Sequence, residues 1–284
     1  MSRTAYVNGE YLPLDQARVP VMDRGFLFAD GIYEVAAVLG GRLIDNAGHL
    51  ARLECSLTEI GIPNPHTADA WERIEGELVT RNRLEEGLVY LQVTRGVAER
   101  DFAFPPPETP ATVVGFTQGK RIIDNPLAER GAAVITVPDI RWARRDIKSV
   151  ALLAQVLAKQ QASAAGAAEA FMVEDGTITE GSSSTAFIVT EGGTILTRPL
   201  SNALLPGITR RAVITLAAEF RLRLEERAFS VEEAHDAAEA FYTSASAFVM
   251  PVVSIDGRPL GDGRPGPIAR RLRELYVAFA QACG

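Results

Sequence analysis

The chain has 284 residues, 47% hydrophobic and 23% charged, the balance of a globular protein long enough for one large domain or two moderate ones that each bury a core. A net charge of -7 excludes a general nucleic-acid or anionic-membrane binder, because no basic field would draw polyanions in. Its two cysteines, Cys55 and Cys283, lie far apart in no metal-ligand spacing, so no disulfide framework or zinc site is expected and a reducing cytoplasm fits. The opening MSRTAYVNGEYLPLD has no basic stretch followed by an apolar core, and no segment holds about 18 uninterrupted apolar residues, so neither an export signal nor a membrane span is expected.

In chain order, AYVNGEYLP predicts a hairpin turned at Asn8-Gly9, and GIYEVAAVLGGRLI a second one turned at Gly40-Gly41. Leu50, Leu53, Leu57 and Ile60 recur at one helical face that Gly61 and Pro63 end, with Arg52 beside the stripe. WERIEGELVTRNRL predicts another helix; LVYLQVTRG and ATVVGFT predict strands. The polar, irregular run QGKRIIDNPLAER marks a boundary, giving an N-terminal α+β domain over 1–120, a linker over 121–131 and a C-terminal α+β domain over 132–284.

Beyond it, AAVITVP predicts a strand, and residues 149–165 a helix with apolar positions at 150, 153, 156 and 157 and a stop at Gly166. EAFMVE, a turn at Asp175-Gly176, TITE, GSSSTAFIVT and GGTILT predict a meander of hairpins. LPGITRRAVITLAAEF predicts a helix entered through Pro206-Gly207, and EAFYTSASAFVMPVVSIDG predicts late strands. Runs of strands interspersed with a few helices favour an α+β fold over an alternating doubly wound one.

Dinucleotide and nucleoside-triphosphate loops are absent, and His49, His66 and His235 pair with no serine or cysteine motif, so a hydrolase triad is not expected. What stands out is a set of polar residues at element ends. Lys148 follows a strand and precedes the expected helix; Glu180 closes a hairpin before Gly181-Ser182-Ser183-Ser184; Ile208-Thr209 open a helix. Unsatisfied amides at such a helix start suit a phosphate. Each signal alone has a bland reading: a surface lysine, a turn, a capped N-terminus.

Together, DRGFLFADGIYEV, HLARLECS, DIKSVALLAQVLAKQQA, VEDGTITEGSSSTAFIV, LPGITR and MPVVSIDG closely resemble the fold type IV pyridoxal-phosphate enzymes, in particular the D-amino acid aminotransferases. The resemblance runs from about Tyr6 to about Gly257. The chain is less closely similar to branched-chain aminotransferases and aminodeoxychorismate lyases, which share the scaffold. The resemblance implies two α+β domains with the cofactor between them, and a homodimer or larger assembly.

Carried onto matching positions, it implies that Lys148 forms the Schiff base with pyridoxal 5'-phosphate and then moves the substrate proton, while Glu180 pairs with the pyridine nitrogen and keeps it protonated. Arg52 is implied as the phosphate cation, supported by the Ile208 and Thr209 amides and the Ser244-Ala245 stretch; Leu205 packs against the ring. Tyr33 and Arg100 fall where such enzymes hold the substrate carboxylate, the arginine typically arriving from the neighbouring subunit. Two departures concern the site: Ala245 stands where relatives commonly have threonine, and Phe102 where they have histidine. Arg95 is left out of the site as structural, and Arg144 and Arg145 are read as surface residues.

The implied activity is transamination between a D-amino acid, D-alanine by default, and 2-oxoglutarate, giving a 2-oxo acid and D-glutamate. The same scaffold leaves open a branched-chain L-amino acid or (R)-amine transaminase, or an aminodeoxychorismate lyase. No metal is expected, and the partners expected are small amino and 2-oxo acids.

Overall fold

A computed structural model describes residues 3–282, so Cys283 lies outside the described residues. The chain divides into two units: one runs to Arg121 and takes in Ile147–Ala151, and the other comprises Ile122–Asp146 and Leu152–Ala282.

The first unit begins with a hairpin of β1 (Thr4–Val7) and β2 (Glu10–Pro13), closed by Asn8 and Gly9 at φ 48° and 100°. Both turn residues are left-handed, which asparagine and glycine tolerate and which matches the twist of the flanking strands. A short helix α1 (Arg24–Phe28) leads into β3 (Gly31–Leu39) and β4 (Arg42–Leu43). Helices α2 (Asn46–Glu59) and α3 (Ala68–Asn82) follow, then β5 (Glu86–Thr94) and β6 (Thr112–Gly119). The six strands form an antiparallel sheet in the order β2-β1-β6-β5-β3-β4.

Strand alternation gives this sheet two unlike faces. Ile32, Val38, Val89, Leu91, Val93 and Val113 pack with Leu50, Leu53, Leu57, Trp71, Ile74 and Leu78 from the helices. A side chain at Gly115 would meet Leu78 Cδ1 at 2.8 Å, so its absence lets α3 close on the sheet. The other face carries Tyr33, Val35, Tyr90, Gln92, Val114 and Phe116, all only partly buried.

The second unit starts with α4 (Pro126–Arg130), which occupies part of the expected linker: Asn125 caps it and Pro126 supplies a helical φ. Next come β7 (Ala132–Pro138), α5 (Leu153–Ala164), β8 (Glu169–Glu174), β9 (Thr177–Gly181), β10 (Thr185–Val189) and β11 (Ile195–Thr197). Helix α6 (Ile208–Glu219), β12 (Leu224–Glu226), α7 (Val231–His235), β13 (Glu239–Ser244), β14 (Phe248–Ile255), β15 (Arg258–Pro259) and α8 (Pro267–Ala282) complete it. The sheet runs β12-β11-β10-β13-β14-β7-β8-β9, with β15 added to β14. Its β14-β7-β8 pairs are parallel, so the sheet is mixed rather than a pure meander. Phe171, Ile178, Ile188, Phe229, Met250 and Val252 lie in its core.

One expected helix differs in start and in face. α5 begins at Leu153, not Ser149, because the backbone of residues 149–150 pairs with the start of β3 instead, Val150 N donating to Gly31 O at 3.0 Å. It buries Ala158 and Ala162 against Val137, Ala170 and Met172, leaving Leu153, Val156 and Leu157 exposed. Small alanines allow a close approach to β7 and β8, and this outweighs burial of the larger residues that the spacing had singled out. Among the described residues, no helix is long and apolar enough to cross a membrane.

Candidate active site

Pairing of one short segment with the start of β3 places Lys148. Tyr33 N donates to Lys148 O at 3.0 Å, Val150 N donates to Gly31 O at 3.0 Å, and Ile32 bridges Ser149. The segment thus continues the sheet beside the first half of β3. Ile147 and Ser149 are buried, with Ile147 joining the core under the helices, and Lys148 stands between them at a tight turn in which Ser149 N donates to Ile147 O at 2.8 Å. There Lys148 Nζ sits 4.2 Å from the centre of the Tyr33 ring. Tyr33 stacks on Tyr90 at 5.6 Å and Tyr90 on Phe116 at 4.6 Å, an aromatic ladder across three strands. Burial pushes the Tyr90 phenol well above its ordinary range, with Tyr33 adding to the effect, so this hydroxyl donates to Gln92 Oε1 at 2.8 Å.

On the helix side of β3 lies a buried polar cluster. His49, Arg52 and Ser56 fall at i, i+3 and i+7 of α2, one position before the apolar stripe of Leu50, Leu53 and Leu57. Glu34, on the same strand as Tyr33 but facing the other way, receives both α2 side chains. Arg52 Nε donates to Glu34 Oε1 at 2.7 Å and Arg52 Nη2 to Oε2 at 2.8 Å; His49 Nδ1 reaches Oε2 at 2.9 Å. Ser56 Oγ accepts from Lys148 N at 3.2 Å. Burial, the largest influence on Glu34, pushes its pKa up, but the charge and hydrogen bonds of Arg52 and His49 prevail and hold it at about 2. Burial, the largest influence, pushes His49 down, and the hydrogen bond and charge of Glu34 oppose it.

Arg100 is exposed, its guanidinium 5.2 Å from the Phe28 ring and 5.7 Å from the Phe102 ring. Among the described residues it makes no hydrogen bond or ring contact with Tyr33 or Lys148. Arg95 is buried and structural: it donates to Asp30 Oδ2 at 2.8 Å and to the Gly61 and Ile60 carbonyls that end α2.

In the second unit, Glu180 is the penultimate residue of β9, and Leu205 N donates to its Oε1 and Oε2 at 3.2 and 3.3 Å. Arg141 also donates to Glu180 Oε1, and grips Asp139 through Nε at 2.9 Å and Nη2 at 2.7 Å. Arg145 is buried, contrary to the surface reading, because it pairs with Glu174 at 2.6 Å and Asp139 at 3.4 Å. Neither Arg141 nor Asp139 stood out in the sequence, and only the partner on β9 gives the pair meaning.

Three residues beyond Leu205, α6 opens at Ile208 and Thr209 with no side chain capping its amides. A side chain at Gly207 would meet Thr185 Oγ1 at 2.8 Å, and Thr185 pairs with Thr243, the residue before Ser244. Within this unit the helix entrance and the end of β13 are therefore neighbours. The turn after Ser244 is strained: buried Phe248 has φ 57°. Arg273 of α8 braces it by donating to the Ala247 and Val249 carbonyls at 2.9 Å each.

Each unit by itself carries ligand-binding chemistry: the first an amine and a buried guanidinium, the second uncapped helix amides and a carboxylate held by an arginine. The model of the family described as amino-transferase class IV matches residues 31–255. The chain belongs to the class IV amino-transferases. Like them, it is a pyridoxal-phosphate-dependent aminotransferase of fold type IV. It is 39% identical over 279 residues to a D-alanine aminotransferase of Staphylococcus aureus, covering 98% of each chain. A D-alanine aminotransferase of Bacillus licheniformis is 40% identical over 268 residues, 94% of this chain and 93% of that one. The branched-chain aminotransferase of the archaeon Thermoproteus uzoniensis, solved with norvaline, superposes with a TM-score of 0.87 at 26% identity, over 99% of this chain and 95% of that one.

Proposed function

We propose that this aminotransferase moves the amino group of a D-amino acid, with D-alanine as the default donor, to 2-oxoglutarate, yielding a 2-oxo acid and D-glutamate. The observation that carries this reading is near-complete coverage by relatives named D-alanine aminotransferases at 39% identity, against 26% for the branched-chain enzyme.

The cofactor supplies an aldehyde that takes up the amine and a ring that accepts the electron pair left when the α-hydrogen departs. Lys148 would hold the cofactor through its side-chain amine, and that amine would take the proton from the substrate α-carbon. Arg52 and the Ile208 and Thr209 amides bind the phosphate, with Ser244 and the Ala245 backbone alongside; Leu205 packs on the ring. Glu180 would pair with the pyridine nitrogen and keep it protonated. Tyr33 and Arg100 hold the substrate carboxylate, which orients the α-carbon and decides which hydrogen Lys148 can reach. The uncapped start of α6, the Lys148 amine over Tyr33, and Glu34 locking the guanidinium of Arg52 support these roles.

A homodimer is part of the proposal, supported by the exposed apolar side chains Phe26, Phe102, Leu153 and Val156 of the single chain. Cytoplasmic location is supported by the exposed free thiol of Cys55. The deciding experiment mixes the holoenzyme separately with D-amino acids, L-amino acids, (R)-amines and aminodeoxychorismate while following the visible absorption of the cofactor. Conversion with D-alanine and none with L-leucine is expected; the reverse pattern gives the branched-chain alternative, and conversion only with (R)-amines or aminodeoxychorismate gives the others.

A further inference from the structure

The second unit contains an alternating chain of charges that ends on Glu180. Glu174 pairs with Arg145 at 2.6 Å, Arg145 with Asp139 at 3.4 Å, Asp139 with Arg141 at 2.7 Å, and Arg141 with Glu180. Asp139, Arg141 and Arg145 are almost fully buried, and Thr179 Oγ1 adds a hydrogen bond to Asp139 at 2.7 Å. The charges alternate along the chain, and Arg198 also acts on the Glu174 end. At the Glu174 end the carboxylate is 38% exposed and water screens it. At the Glu180 end the carboxylate is buried against the equally buried guanidinium of Arg141.

A carboxylate beside a pyridine nitrogen shares one proton with it, and two arrangements compete: pyridinium with carboxylate, or neutral pyridine with carboxylic acid. In a buried site the neutral pair is favoured unless another charge stabilises the carboxylate. We infer that Arg141 is the positioning residue that decides this competition: its guanidinium keeps Glu180 ionised, so the shared proton stays on the ring nitrogen. No atom is gained or lost; one N–H bond is kept in place of one O–H bond. Asp139 holds the guanidinium in place and tempers its charge. The inference rests on the reading that Glu180 faces the pyridine nitrogen. The shift of Arg141 is consistent with it: burial pulls its pKa down, but Asp139 and Glu180 more than offset this, and it stays protonated.

The test reads the proton directly. Holoenzyme is reconstituted with pyridoxal phosphate carrying 15N in the ring, and the ring-nitrogen resonance is recorded for the unmodified protein and for Glu180→Gln, Arg141→Gln, Arg141→Lys and Asp139→Asn, each checked for folding by its melting transition. A pyridinium signal is expected in the unmodified protein, in Arg141→Lys and in Asp139→Asn, and a neutral ring in Glu180→Gln and Arg141→Gln. With the ring charge gone, the pH midpoint of the visible band should rise by about one unit or more. A neutral ring in the unmodified protein, or a pyridinium in Glu180→Gln, removes the reading of Glu180 and this inference with it. A pyridinium in Arg141→Gln beside a neutral ring in Glu180→Gln overturns the role of Arg141 alone. If Arg141→Gln does not fold, Asp139→Asn decides: a neutral ring there means the network is only a scaffold, whereas a pyridinium supports the charge of Arg141 as the agent.

Discussion

Glu34 meets Arg52 through two parallel hydrogen bonds of 2.7 and 2.8 Å inside the core of the first unit. A bidentate pair of this kind fixes the orientation of the whole guanidinium. The same pair makes the unit acid-sensitive. The Glu34 pKa is about 2 in the folded protein against 4.5 as its ordinary value, so its stabilisation is present above about 4.5 and is lost as pH falls towards 2. The shift corresponds to about 3 kcal/mol. Glu34→Gln should lose roughly that much at pH 7 and flatten the stability profile between pH 4.5 and 2, measured by denaturant unfolding. An unchanged profile would remove Glu34 as the source.

Glu75 makes the opposite contribution. Burial, the largest influence, with Glu34 and Glu72 adding, pushes this carboxyl to about 7, although Asn46 Nδ2 donates to it at 2.7 Å. The folded state binds this proton more tightly than the unfolded one, so stability falls as pH rises from about 4.5 to 7. Asn46 Oδ1 is buried without a partner, an acceptor that the protonated acid can use. Glu75→Gln should be more stable than the unmodified protein at about pH 8, by up to about 3 kcal/mol, and no different at about pH 4. Urea midpoints at the two pH values check this, and equal differences at both would contradict it.

Borohydride reduction of the holoenzyme should fix the cofactor to the peptide containing Lys148, as mass spectrometry of the digest would report. Lys148→Ala should lose at least about a thousandfold in turnover with its melting temperature nearly kept. Labelling at Lys120 or Lys159 would move the Schiff base elsewhere.

Arg100→Ala should lower kcat/KM for D-alanine by about 10 to 150-fold, the range expected for one charge-assisted contact, while leaving amines that lack a carboxylate little affected. A uniform loss across both substrate classes would mean that Arg100 supports the loop through Phe28 and Phe102 rather than holding the carboxylate.

Gly115→Val should destabilise the first unit by about 1–3 kcal/mol, because the added atoms collide with Leu78 Cδ1. Calorimetry of the variant reads the loss; an unchanged melting temperature would mean that α3 can shift outward freely.

Local chemistry made much of this protein legible. Asn8-Gly9, Gly40-Gly41 and Asp175-Gly176 turn the chain where only a left-handed pair fits the strand twist, and each hairpin stands where these residues fall. The stripe of Leu50, Leu53 and Leu57 specifies α2 and its buried face, and Arg52 is fixed in position beside it. The run that resembles the class IV aminotransferases was readable because each motif is a short, contiguous stretch of chain.

What the sequence could not decide was pairing between distant segments. Lys148 is placed by residues 31–33, far earlier in the chain, and this pairing overrides the helical pattern at the start of residues 149–165. His49 and Glu34 are ordinary residues until α2 packs on β3, and Arg141 and Asp139 until β9 brings Glu180 beside them. A buried charge is tolerated only where its partner arrives in three dimensions, so the periodicity of a single segment cannot announce it.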